Sequence, residues 1–222
     1  MRNDRFTHIL FDLDGTLTDS AEGIINCVIH ALRCLGKPIP DQKKLFELIG
    51  PPLTVNFHDH LGLSEEDTAE AVKRYRERYA EVGLFENRPY EGIEDMLIRL
   101  REAGFVLAVA TSKPEVFSVR ILEKFGLAKY FDTVCGSGLD GSLDTKAEVV
   151  EETLRRLGVT DRAAALLVGD RKYDAIGASR AGIRCIGAGW GFAEEGELEG
   201  AGALPVAADP AELADILIGG GL

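Results

Sequence analysis

Short apolar runs separated by amphipathic stretches recur along the chain. Residues 7–13, 105–110, 133–135, 165–168 and 184–187 have the length and apolar character of buried strands, with a weaker sixth run at 204–207. Between these runs the apolar positions change to helical spacing. Residues 94–103 place Met96, Leu97 and Leu100 on one face, and Lys146–Leu157 does the same with Val149, Val150, Leu154 and Leu157. Alternation of strand and helix predicts an α/β fold, a doubly wound parallel sheet with helices on both faces. Ligands of such sheets sit beyond the carboxyl ends of the strands.

One interval breaks the rhythm. About ninety residues separate the first strand from the second, several times an ordinary connection. Within it, residues 21–35 carry Ile24, Ile25, Val28, Ile29, Leu32 and Leu35 at helical spacing, and further helical stretches follow at 43–49, 55–61 and 65–82. Gly36-Lys37-Pro38, Gly50-Pro51-Pro52 and Asn87-Arg88-Pro89 punctuate them. The pattern predicts a small inserted helical domain over residues 19–88, with 1–18 and 89–222 forming the α/β domain. Gly219-Gly220-Gly221 reads as a loose tail.

Composition narrows the class. The 222 residues are 45% hydrophobic and the mean hydropathy is near zero, as expected of a globular protein with a substantial core. The longest apolar stretches, such as Ala163-Ala164-Ala165-Leu166-Leu167-Val168, are too short for a bilayer. Residues Met1-Arg2-Asn3-Asp4-Arg5 lead into a strand without an export signal, so a cytoplasmic location is expected. Cys27, Cys34, Cys135 and Cys185 are too scattered for a disulfide scaffold or zinc site and read as small hydrophobes in a reducing compartment. The net charge of −12 argues against nucleic acid as a partner. An acidic protein binds an anion only where a metal or local cation reverses the sign.

That requirement bears on Phe11-Asp12-Leu13-Asp14-Gly15-Thr16, at the end of the first strand. Carboxylates at i and i+2 on a strand point to one side, so Asp12 and Asp14 are expected to converge, with Gly15 turning the chain. An ordinary Asp-Gly turn is the competing reading. The second strand finishes at Thr111-Ser112-Lys113-Pro114, Lys146 opens a helix after the third, and Gly169-Asp170 with Asp174 follows the fourth. Taken singly, Thr111 is a helix cap, Lys146 a solvated residue and Asp170 an N-cap with Asp174 complementing the dipole. Their joint placement in chain order, all at carboxyl ends of strands, is far harder to obtain by chance.

Asp12-x-Asp14-Gly15-Thr16, Thr111, Lys146 and Gly169-Asp170-x-x-x-Asp174 together resemble the haloacid-dehalogenase superfamily of phosphohydrolases, over essentially the whole chain. Ile49-Gly50-Pro51-Pro52-Leu53 and Gly182-Ile183 are similar to its phosphoglycolate phosphatase-like and 5'-nucleotidase-like members. The resemblance implies a Rossmann-like core with an inserted helical cap of type C1. It further implies an Mg²⁺-dependent phosphatase in which Asp12 attacks a small-molecule phosphate monoester to form an aspartyl-phosphate and Asp14 is the general acid and base. The implied metal set is the Asp12 carboxylate, the Asp14 backbone carbonyl and the Asp170 carboxylate, with Asp174 supporting it directly or through water. Thr111 and the backbone amides of the Gly15-Thr16 turn would bind phosphoryl oxygens, and Lys146 would neutralise their charge. Ser112 and Lys113 are further candidates for contact with phosphate or leaving group.

The chemistry is coherent: a carboxylate approaching a phosphate dianion is repelled unless a hard divalent cation bridges them. An aspartate at position 14 separates phosphatases and phosphomutases from the dehalogenases of the superfamily. Two other readings compete. A phosphomutase needs a cap that holds a sugar bisphosphate, and a phospho-aspartate receiver, which uses aspartates, a threonine and a lysine at strand ends, is smaller and lacks an insertion. No membrane or nucleic-acid partner is expected. His58-Asp59-His60 at i, i+2 do not share a helix face and read as a solvated surface. Trp190 either packs near the site entrance or buries an amphipathic ring, and Glu194-Glu195-Gly196-Glu197 reads as a solvated helix start.

Overall fold

In the computed structural model, which describes residues 6–220, the apolar runs become strands in the expected places. They are β1 (His8–Phe11), β2 (Thr18–Asp19), β3 (Arg88–Pro89), β4 (Val106–Pro114), β5 (Thr133–Ser137), β6 (Ala165–Gly169), β7 (Arg184–Ala188) and β8 (Val206–Ala207). β2 and β3 pair with each other; the others form a six-stranded sheet in the order β5-β4-β1-β6-β7-β8, every neighbour parallel. Succession runs outward from β1 through β4 to β5, then crosses back to β6 on the other edge of β1. That reversal opens a crevice beyond the carboxyl ends of β1 and β6. Register places Phe11 beside Val109 and Val168, so the residues that follow β1 and β6 emerge at one end.

The helices that cover the sheet are α5 (Ile93–Glu102), α6 (Glu115–Lys124), α7 (Lys146–Leu157), α8 (Lys172–Arg180), α9 (Glu197–Gly200) and α10 (Pro210–Gly219), following α1 (Ala21–Cys34), α2 (Gln42–Glu47), α3 (Leu53–Val55) and α4 (Glu65–Glu81). One sheet face supplies Leu10, Ala108, Ala110, Cys135 and Leu167 to a core with Val149, Val150 and Leu154 of α7 and Ala175 and Ala178 of α8. The alternate positions, Ile9, Phe11, Leu107, Val109, Leu166 and Val168, are equally inaccessible. A strand buried on both faces needs a helical layer on each. α5 and α10 pack on each other and bury Ile93, Met96, Leu97, Leu213 and Leu217.

By its contacts the chain divides into residues 1–18 with 89–222, and residues 19–88. The second unit is helical. α1 and α4 pack together, burying Ile24, Cys27, Val28, Ala31 and Leu32 of the one and Ala71, Tyr75 and Tyr79 of the other. The Arg78 guanidinium donates to both oxygens of Glu86 at 2.7 and 2.8 Å. The helix expected over 55–61 is instead α3 followed by a π-helical turn, Asn56–His60.

Three sequence expectations are corrected. β1 ends at Phe11, so Asp12 and Asp14 lie in the loop beyond it and strand alternation does not govern them. β4 continues past residue 110 to Pro114, its register against β5 shifting between Thr111 and Pro114. The shift needs a bare backbone opposite, because a Cβ on Gly136 would lie 2.4 Å from the Lys113 carbonyl oxygen. Cys34 is exposed rather than apolar filler, whereas Cys27, Cys135 and Cys185 are buried. Residues 1–5 and Gly221, on which the leader and tail readings partly rest, lie outside the described residues. No helix is long and apolar enough to cross a membrane among the residues described.

Candidate active site

The loop after β1 is wound tightly. Leu17 and Thr18 amides both donate to the Leu13 carbonyl, at 2.9 and 3.0 Å, and the Gly15 amide donates to Thr18 at 2.8 Å. The Asp12 amide donates to the Val168 carbonyl at 2.9 Å, closing the last pair of the β1–β6 ladder, Phe11 with Val168. Gly15 adopts φ +81, and a Cβ there would stand 2.0 Å from Asp170 Oδ2. Any side chain at position 15 would therefore collide with the carboxylate that follows β6.

Asp170 and Asp174 are buried at 0% and 1% exposure, and Asp12 keeps 13% of its side chain exposed. One oxygen from each of Asp12, Asp170 and Asp174 lies within 4.8 Å of the other two. Lys146 reaches this cluster from the first turn of α7, whose start is held by a capping box between Thr145 and Glu148. Its Nζ lies 2.8 Å from Asp12 Oδ1 and 2.8 Å from Asp174 Oδ1, and donates to the Ala110 carbonyl at 3.2 Å. Thr16 Oγ1 donates to Asp170 Oδ1 at 3.2 Å. The Arg171 amide donates to Asp174 Oδ2 at 3.0 Å, fixing that carboxylate at the N-terminus of α8.

One ammonium among three carboxylates leaves the cluster two negative charges in excess when all are ionised. Burial pushes the Asp12 carboxyl up to about 6, against the pull of Lys146. Burial, with Asp174 and Asp12 nearby, raises Asp170 well above the ordinary carboxylate range. Burial alone would discharge Lys146, but Asp12 and Asp174 overrule it and hold it protonated. Asp12 Oδ1 and Asp174 Oδ1 lie beside Lys146 but out of hydrogen-bond alignment. An oxygen-only donor set with excess negative charge and unsatisfied oxygens fits a hard divalent cation.

Asp14 is placed apart from this group. Its Oδ2 is ion-paired with the ammonium of Lys113, whose side chain is only 6% exposed. Asp12 and Asp14 therefore do not converge on one point as strand geometry predicted. Thr111 is buried, and its hydroxyl oxygen accepts from the Lys113 amide at 3.3 Å. Ser112 is exposed, with its carbonyl accepting from Ser137 Oγ at 2.8 Å. His58 Nδ1 lies 2.7 Å from Asp59 Oδ1 on an exposed surface. Glu197 is half-buried rather than solvated, and it accepts from Arg171 Nε at 2.9 Å.

Sequence reasoning passed over the backbone of Phe192, whose amide donates to Asp170 Oδ2 at 2.8 Å. The only hint was the close glycine spacing in Gly187-Ala188-Gly189-Trp190-Gly191.

Comparison with known proteins bears on what this arrangement does. A family model described as haloacid dehalogenase-like hydrolase matches residues 9–188. A 5'-nucleotidase from Pseudomonas aeruginosa is 44% identical over 213 residues, 96% of either chain. The tyrosine-protein kinase PtkA of Mycobacterium tuberculosis is 40% identical over 184 residues, 83% of this chain and 62% of that protein. The crystal structure of a predicted phosphatase from Clostridium acetobutylicum superposes with a TM-score of 0.92 at 42% identity, covering 97% of this chain and 100% of that one.

Proposed function

Because the chain belongs to the haloacid dehalogenase-like hydrolase family, and is a phosphatase by that kinship, we propose that it hydrolyses small phosphate monoesters with Mg²⁺ and an aspartyl-phosphate on Asp12. Nucleoside 5'-monophosphates are the proposed substrate class. The support for that choice is the 5'-nucleotidase similar to this chain along 96% of both proteins. The observation that carries the mechanism is the Lys146 ammonium, 2.8 Å from Asp12 and Asp174. It keeps the Asp12 carboxylate available as a nucleophile in a buried site. The phosphomutase and receiver readings are not favoured beside relatives named as hydrolases.

In the first step an oxygen of Asp12 bonds to phosphorus while the ester P–O bond breaks, and Asp14 delivers its proton to the departing alkoxide. In the second, Asp14 takes a proton from water as that water attacks phosphorus. The Asp12–phosphorus bond breaks, releasing inorganic phosphate and restoring both carboxyl groups. Lys113, paired with Asp14, sets the position from which that proton moves, and Ser112 beside it is assigned to the leaving-group side. Thr111 binds the phosphoryl oxygens, and Lys146 offsets their charge in the transition state. The Gly15 and Thr16 amides, expected to share that role, are instead spent inside the loop on the Thr18 and Leu13 carbonyls. Asp12, Asp170 and Asp174, with the Asp14 carbonyl, would hold Mg²⁺, which when bound supplies charge neutralisation between nucleophile and phosphate.

Hydrolysis of p-nitrophenyl phosphate and of a nucleoside-monophosphate panel tests the reading. Turnover is expected with Mg²⁺, is removed by chelator, and falls by about a thousandfold or more in Asp12→Asn. An unmutated protein inert on the whole panel with Mg²⁺ overturns the hydrolase mechanism; equal turnover on every ester overturns only the nucleotide preference.

A further inference from the structure

Trp190 lies just beyond β7 and has no part in the steps above. The indole Nε1 donates to the Thr16 carbonyl at 3.0 Å. Two residues on, the Phe192 amide donates to Asp170 Oδ2 at 2.8 Å. Thr16 Oγ1 in turn donates to Asp170 Oδ1 at 3.2 Å. These contacts close a ring: from Asp170 to Thr16, along Thr16 to its carbonyl, to the indole, through Gly191 to the Phe192 amide, and back to Asp170.

Gly191, between the two donors, tightens the ring. A Cβ there would stand 2.3 Å from Asp170 Cβ and 2.4 Å from the Gly15 carbonyl oxygen. The segment after β7 is thus pressed simultaneously onto the loop after β1 and the aspartate after β6. A carboxylate held through one oxygen can still swing about its Cβ–Cγ bond. One held through both cannot, and each oxygen retains a further lone pair. The Thr16 carbonyl sits in a tight turn where strand pairing has ended, so the donor-only indole also satisfies a backbone acceptor.

We propose that Trp190-Gly191-Phe192 is a positioning segment that fixes the Asp170 carboxylate, and through Thr16 the loop bearing Asp12, in the orientation that binds a divalent cation. The inference rests on the cation-binding role proposed above for Asp170. Ordering the ligand before the ion arrives removes an entropic cost from binding. Outer-shell partners of metal-binding carboxylates typically govern about tenfold or more in affinity.

The test uses Mn²⁺ binding to the substrate-free full chain, followed by titration calorimetry and by the paramagnetic resonance of free Mn²⁺. Trp190→Phe keeps a ring and removes the N–H. It is expected to weaken Mn²⁺ binding about tenfold, with thermal unfolding in chelator close to wild type. Gly191→Ala, which leaves the indole and pushes a methyl group at Asp170, is expected to weaken binding as well. Wild-type Mn²⁺ affinity in either folded variant overturns the proposal, as does a lowered melting temperature in chelator with affinity unchanged. Asp170→Asn separates the two readings. If it binds Mn²⁺ like wild type, the cation site itself fails; if it loses Mn²⁺ while Trp190→Phe does not, only the positioning role fails.

Discussion

Asp12 and Asp14 stand two positions apart yet meet different lysines: Asp12 lies against Lys146 and Asp14 against Lys113. This separation underlies their proposed division of labour. Asp12 stays beside a buried ammonium that favours its carboxylate, whereas Asp14 is held outside the three-carboxylate cluster. If Asp14 serves both half-reactions, Asp14→Asn slows both on an alkyl ester. With p-nitrophenyl phosphate, whose leaving group needs no proton, only the second step lags and phosphoenzyme accumulates on Asp12, detectable by intact-protein mass. Wild-type turnover in that variant would remove the dual role. The residue types and their order were legible along the chain, but their partners were not. Alternation implied convergence, and it ceased to apply once β1 stopped at Phe11. The lysines arrive from β4 and α7, at positions fixed by the bulge near Gly136 and the capped start of α7.

At the scale of elements, periodicity located most of the structure because each helix declares its buried face locally. α7 runs over the residues its apolar spacing predicted, Lys146–Leu157. Where local signals failed, a packing demand had intervened, as in β4, which extends along β5 by using the bare backbone of Gly136. The helical unit offers a test of a single ion pair. Hydrogen bonds from Arg78 hold the Glu86 carboxyl below its ordinary value of 4.5. A depressed folded-state value contributes stability above the unfolded value and loses it as pH falls through the folded one. Glu86→Gln is therefore expected to lower unfolding stability by about 1–2 kcal/mol near neutral pH. The deficit should shrink in acid, below the point where the wild-type carboxylate is protonated. Denaturant titration of both proteins at neutral and acidic pH measures this, and an equal deficit at both would show that charge is not the source.

For the whole molecule, a net charge of −12 and a buried cluster of three carboxylates with one lysine would make the proposed cation a matter of stability as well as chemistry. The Asp12 carboxyl, pushed up to about 6 by burial, favours the metal-free fold most below its ordinary value of 3.8. That contribution, on the order of 2–3 kcal/mol, is lost as pH rises through about 6. Divalent binding needs the ionised form, so the rise in melting temperature produced by Mg²⁺ over chelator should be larger at about pH 7.5 than at about pH 5. Calorimetric scans under the four conditions decide it; equal rises would dissociate Asp12 from the ion. The sequence by itself determined the alternation of strands and helices, the interruption after the first strand, and the ordered motif residues that mark the family. All of these are carried by residue type and local spacing. Only the tertiary structure decided which groups meet. Lys146 between Asp12 and Asp174, Lys113 on Asp14, and Trp190 on Thr16, 174 positions away, depend on strand order and register, which no local periodicity encodes.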